Sequence, residues 1–165
     1  MIWDKVKNSI TLTRVVAFGI WLVLLTVTVA CFRSSKNTTD FRTSSWGDKY
    51  GDVYDREESE IFQQGSEEFS MMDSLIEGDE CVVTYFFNEY AKLVRGEYYI
   101  EHPGKPIDEA FGEYYELLSE KYGKAADEDK IVGVTYAKFR TRTTKITLVV
   151  KNGAITIKFE PIRNI

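Results

Sequence analysis

The chain has 165 residues, 44% of them hydrophobic and 14% aromatic, with a formal net charge of −5. A single histidine and two cysteines exclude a His-based zinc cluster and a disulfide framework. The net negative charge argues against a nucleic-acid partner.

Residues 1–14 form a short basic head carrying Lys5, Lys7 and Arg14. An unbroken apolar run follows from Val15 to Phe32, residues 15–32, with no charge between Arg14 and Arg33. Its eighteen residues would reach about 27 Å as a helix, close to the roughly 30 Å hydrocarbon core of a bilayer. Eleven of them are Leu, Ile, Val or Phe, which favours insertion by about 3 to 7 kcal/mol. A buried core helix should show a polar face at helical spacing, and this run has none. The expectation is therefore a membrane segment.

Two readings of that segment stay open. It is either an uncleaved anchor or the leader of a lipoprotein, with Ala30-Cys31 as the processing junction and Cys31 as the lipidated residue. Val27-Thr28-Val29-Ala30-Cys31 is similar to a bacterial lipobox, although Thr28 stands where Leu is usual and Phe32 is an unusual follower. Lys5, Lys7 and Arg14 on one side of the run face Arg33, Lys36 and Arg42 on the other, so charge does not set the orientation. Because a short basic head normally stays inside, the body is expected outside the cytoplasm, at the cell membrane or envelope. With Cys31 in or at the membrane, Cys81 is left alone and the body must rely on its own core.

Residues 33–40 begin RSSKNTT and read as a solvated tether. Residues 41–165 read as one α+β domain. A first helix is expected from Asp48 to Ile61, with Asp48 as its cap and Tyr50, Val53, Tyr54 and Ile61 on its apolar stripe. Strand-like runs follow at Met71 to Glu77, Glu80 to Phe87 and Ala91 to Ile100, joined by short turns. Pro106 opens a second helix on Ile107, Phe111, Tyr114, Leu118 and Tyr122, and Gly123 ends it. Three more strands are expected at Ile131 to Arg140, Thr144 to Val150 and Ala154 to Glu160. Asn152-Gly153 signals a tight hairpin between the last two, because both residues tolerate positive φ. The pattern is helix and three strands, twice. It predicts an antiparallel sheet of about six strands with two helices on one face and the other face open.

Phe41-Arg42, Trp46-Gly47, Val53 and Glu57 resemble the opening signature of an uncharacterised family of small bacterial exported proteins and lipoproteins. Val83 to Phe87, Leu93, Tyr99, Tyr122-Gly123, Thr144, Ile146 and Leu148 extend that resemblance over most of Phe41 to Pro161. Lys49 departs from it, at the place where a capping Ser is common. The layout is also similar to SmpA/OmlA-type assembly lipoproteins and to β-lactamase-inhibitor-protein-like domains. The first family is of unknown function; the two similar layouts belong to noncatalytic binders, a likeness of fold alone. No motif for a cofactor is present, and none is expected.

Glu57 is the first candidate for chemistry, since helical spacing puts it among the apolar residues of the first helix. An unpaired buried carboxylate costs several kcal/mol. Glu57 should then meet a cation, with Arg95, Arg140 and Arg142 as candidates, unless the helix stops short and leaves it in water. A catalytic carboxylate is the third reading. Asp48, Asp52 and Asp55 lack the spacing of a calcium loop, so no metal site is expected. Charge is uneven: residues 37–130 hold 9 Lys/Arg against 24 Asp/Glu, net −15, whereas residues 131–165 hold 7 against 1, net +6. Lys138, Arg140, Arg142, Lys145 and Lys158 are therefore a candidate binding surface for an acidic protein or an anionic envelope component. The opposing reading is that they neutralise the domain's own carboxylates.

The sequence thus predicts a membrane-tethered, noncatalytic binding domain. A carboxylate-dependent envelope enzyme and a structural subunit of an envelope assembly are the alternatives.

Overall fold

A computed structural model of the chain describes residues 39–76, 79–131 and 134–163. The basic head, the apolar run and Cys31 lie outside the described residues, as does the tether up to residue 38. Among those described, no helix is long and apolar enough to cross a membrane.

Asp40, expected in the tether, belongs instead to the folded body. Its N–H donates to the Ser44 carbonyl at 2.9 Å, and its carboxylate is engaged as set out below. The first helix, α1, runs only from Tyr50 to Tyr54, far shorter than expected. Its N-cap is Lys49, which offers no side-chain acceptor, while Asp48 accepts from Ser45 N at 3.1 Å. The last bonds, Arg56 N to Val53 O and Glu57 N to Tyr54 O, are tighter three-residue steps that close the helix.

Strands β1 (Ile61–Gln64), β2 (Glu68–Ile76), β3 (Asp79–Phe87) and β4 (Leu93–Ile100) follow. Helix α2 (Ile107–Tyr122) comes next, then β5 (Asp127–Ile131), β6 (Val134–Arg140), β7 (Thr144–Lys151) and β8 (Ala154–Pro161). The described strands number eight rather than six, all antiparallel, in the order β1-β2-β3-β4-β8-β7-β6-β5. Each half is thus a helix followed by a four-strand meander, and the halves join through their last strands. Exchanging the halves reverses the order and leaves it otherwise unchanged.

The core lies on one face of this sheet. Met71, Val83, Tyr98, Ile157, Leu148 and Ala137 pair in register across six strands and are all buried. Val53 of α1 and Ala110, Tyr114 and Leu118 of α2 join the same cluster. A buried side chain of the size of Leu118 stabilises the fold by roughly 1.5–3 kcal/mol relative to exposure. Phe41 closes the core between the two halves. Its ring lies 5.0 Å from that of Tyr85, 5.3 Å from Tyr98 and 5.1 Å from Phe159. It reaches that depth because the inward position facing it in β4 is Gly96, where a Cβ would fall 2.2 Å from the ring.

Candidate functional site

Three arrangements carry polar chemistry. The first surrounds Glu57. Although α1 ends before it, Glu57 does not reach water: its side chain is 3% exposed. Its cation is Arg42, not Arg95, Arg140 or Arg142. Arg42 Nη2 donates to Oε2 at 3.0 Å and Nε to Oε1 at 3.4 Å. Thr43 Oγ1 donates to Oε1 at 3.3 Å, and the Tyr85 hydroxyl donates to the same oxygen. Arg42 also holds Asp73 through Nη1.

Arg42 occupies a left-handed turn, φ 51, between the bridged residues Phe41 and Ser44, and this geometry aims the side chain under the sheet. Burial lowers the pKa of Arg42, but the bonds to Glu57 and Asp73 outweigh it and hold the guanidinium above its ordinary value. Burial also raises Tyr85, reinforced by Glu57. It pushes Tyr98 up to about 12, with the Arg42 charge pulling the other way. For Asp73, burial is outweighed by the Ser74 N–H and Arg42, which leave it below the usual carboxylate range. Every oxygen of Glu57 thus carries protein donors, an arrangement that fixes the segment 42–57 to the sheet.

A second buried carboxylate, Asp79, opens β3. It accepts from Gly104 N at 3.0 Å and from the Tyr114 hydroxyl at 3.2 Å, pinning α2 and the loop before it. Cys81 packs nearby, buried, its thiol pushed up to about 11 by desolvation and the neighbouring Asp73 charge.

The third arrangement is a cleft of about 460 Å³ lined by Asp40, Trp46, Arg142, Thr143, Pro161, Ile162 and Arg163. Asp40 organises its wall. Asp40 Oδ2 accepts from Trp46 N at 3.0 Å, and Oδ1 accepts from the Thr143 and Thr144 hydroxyls. Trp46 Nε1 donates to Thr144 Oγ1 at 2.9 Å, which fixes the indole.

The face of the sheet opposite the core carries a different pattern. Met72, Val82, Tyr99, Thr156, Val149 and Tyr136 stand in register across six strands. Met72 is 46% and Tyr99 37% exposed. The adjacent row is Thr84, Glu97, Lys158, Thr147, Lys138 and Asp127. Here the expected basic surface resolves into internal pairs. Lys138 meets Asp127 at 2.7 Å, Lys158 meets Glu97 at 4.0 Å, and Lys145 meets Glu160 at 2.9 Å. Arg140 ends β6 exposed, and Arg142 lines the cleft. Arg95, a candidate partner for Glu57, lies over the Phe86 ring at 3.6 Å instead.

Sequence reasoning did not single out Arg42, Thr43 and Tyr85 as partners of Glu57, nor Asp73 as the second partner of Arg42, nor Asp40, Thr143 and Arg163 as a group. Their association depends on a left-handed turn and on long-range packing, neither of which leaves a local pattern. Among the described residues, no three His, Cys, Asp or Glu side chains gather as a metal site. No family model, curated protein or solved structure matches the chain.

Proposed function

We propose that this protein is a noncatalytic binding domain tethered to a membrane by residues 15–32, or by a lipid on Cys31, and exposed outside the cytoplasm. The observation that carries the binding reading is the in-register row Met72–Val82–Tyr99–Thr156–Val149–Tyr136 on the side of the sheet away from the core. Aromatic side chains bury area at low entropic cost and a thioether adapts to an irregular surface, so a strand face that carries both suits a protein partner. The charges beside them are already paired with each other, so this face favours a protein over a polyanion. The noncatalytic reading is supported at Glu57, whose oxygens are taken by Arg42, Thr43 and Tyr85. The resemblance to exported lipoproteins supports the tether, and the layout shared with SmpA/OmlA-type and β-lactamase-inhibitor-protein-like binders is compatible with a binding role.

The test uses the full chain in intact cells, with a photo-crosslinking amino acid at Tyr99 or, as a control, at the exposed Glu116 of α2. A discrete adduct from position 99 and none from 116 supports the reading. An adduct with the mass of two copies would make the sheet face a homotypic assembly surface. No adduct at either position contradicts it. Intact mass of the membrane-extracted protein decides the tether: a chain starting at Cys31 with added acyl mass is a lipoprotein, and one retaining Met1 is anchored. Recovery of the whole chain in the soluble fraction would overturn both.

A further inference from the structure

The cleft beside Asp40 differs in chemistry from the sheet face, and none of the face residues lines it. Trp46, Pro161 and Ile162 supply apolar surface, and Arg142 and Arg163 supply two exposed guanidinium groups. Among the described residues, neither arginine makes an ion pair, a condition they share with Arg95, Arg140 and several exposed lysines; what sets these two apart is that they line one cleft. The one acid of the lining, Asp40, has both oxygens occupied by Trp46, Thr143 and Thr144. The charge of the lining is therefore +1, from two arginines against one aspartate. Two cations without an ion pair thus flank a wall that Asp40, Trp46, Thr143 and Thr144 fix by hydrogen bonds.

We infer that this cleft binds an anionic phosphodiester, one whose net charge is −1. Guanidinium forks match phosphate oxygens with paired N–H donors. The two arginines come from separate segments, the turn after β6 and the stretch after β8, which suits a tetrahedral anion better than a planar carboxylate. A doubly charged monoester would exceed the charge of the lining and meet Asp40. The volume falls within the roughly 300–1,000 Å³ of small-molecule sites, and the apolar wall accommodates the non-ionic part of the ligand. In sequence, Asp40 follows Phe32, the last residue of the apolar run, by eight positions. A lipid headgroup and a soluble phosphodiester share this chemistry; only the lipid source rests on the tether proposed above.

The experiment is titration of the full chain in a nonionic detergent, followed by native mass spectrometry. The probes are short-chain phosphatidylglycerol, short-chain phosphatidylcholine, glycerophosphoglycerol and laurate. Phosphatidylglycerol or glycerophosphoglycerol should bind one to one, and R142Q/R163Q should weaken that binding by at least about tenfold, the loss expected for charge-assisted hydrogen bonds. K124Q/K151Q removes the same charge from exposed positions outside the cleft and should leave binding unchanged. Preference for the acylated anionic probe over glycerophosphoglycerol assigns a lipid headgroup; equal binding of the two assigns a soluble ligand. Equal loss in both double variants, equal binding of laurate or phosphatidylcholine, or no binding of either anionic phosphodiester overturns the inference. Because the sheet-face residues are untouched, these outcomes are independent of crosslinking at Tyr99.

Discussion

Arg42 grips Glu57 through two hydrogen bonds across 15 residues of chain, and it turns its remaining amino group to Asp73 on β2. This pair replaces the helix that the sequence suggests over the same stretch. It holds a short helix and its flanking loops against the sheet, work that α1 with five residues is too short to do alone.

Removing one partner of a buried pair is costly because the other is left uncompensated. R42Q strands Glu57 and should cost about 3 kcal/mol, at the lower end for buried pairs because Tyr85 and Thr43 remain. E57Q should cost about 2 kcal/mol, since Arg42 keeps Asp73. Chemical denaturation of the single and double variants measures this directly. The double variant should lose less than the two singles summed, and strict additivity would show that the two residues do not act as a unit.

Phe41 and Gly96 make a second test. A methyl group at position 96 would fall 2.2 Å from the Phe41 ring, so G96A should destabilise by about 3 kcal/mol, the upper range for an overpacked core. F41L in the same chain should recover part of that loss by vacating the space. If G96A unfolds at the wild-type temperature, Phe41 does not sit on that strand.

Several features are legible in the sequence. Helix α2 spans Ile107–Tyr122 because its apolar residues keep helical spacing, and Gly123 terminates it at φ 85. The hairpin at Asn152-Gly153 takes positive φ at both residues, 55 and 80. Buried Ile146 and Leu148 alternate with Lys145 and Thr147 as period two requires. The edge strands were not legible, for a physical reason. β5, Asp127–Ile131, is mainly acidic and is held by backbone pairing to β6, so it carries no alternation. β1 begins at Ile61, whose apolar side chain fits a helical stripe equally well. The expected strand from Ala91 starts instead at Leu93 because Asn88 Oδ1 accepts from the N–H groups of Tyr90 and Lys92, folding that stretch into a turn. For Glu57, burial is expected from a helical stripe that ends at Tyr54, so the residue is buried for a reason its neighbours in sequence do not carry. Its partner is not legible either, because Arg42 reaches it only through a left-handed turn.

Alkaline pH should destabilise the fold in a defined window. Burial raises Tyr85 and Tyr114, and it pushes Tyr98 to about 12 and Cys81 to about 11. A group whose folded pKa is raised stabilises fully below its unfolded value. Above that value the unfolded chain releases the proton first, so stability falls as pH rises. Urea midpoints should therefore decline from about pH 9, as Cys81 ionises in the unfolded chain, and more steeply above about pH 10, when the tyrosines do. Spectrophotometric titration should show a late-ionising class among the ten tyrosines of the chain. A single class titrating near the ordinary value in folded protein would contradict the burial of these phenols.

The binding face itself is tested by M72D/Y99D in the full chain. Both positions are exposed, but each keeps part of its surface packed and Asp is disfavoured in strands, so the variant should lose about 1–2 kcal/mol and remain folded. The partner captured at position 99 should nevertheless disappear from gentle membrane extracts of the variant. Undiminished co-extraction of that partner, with the variant folded, would contradict the assignment of this sheet face as the surface on which the protein acts.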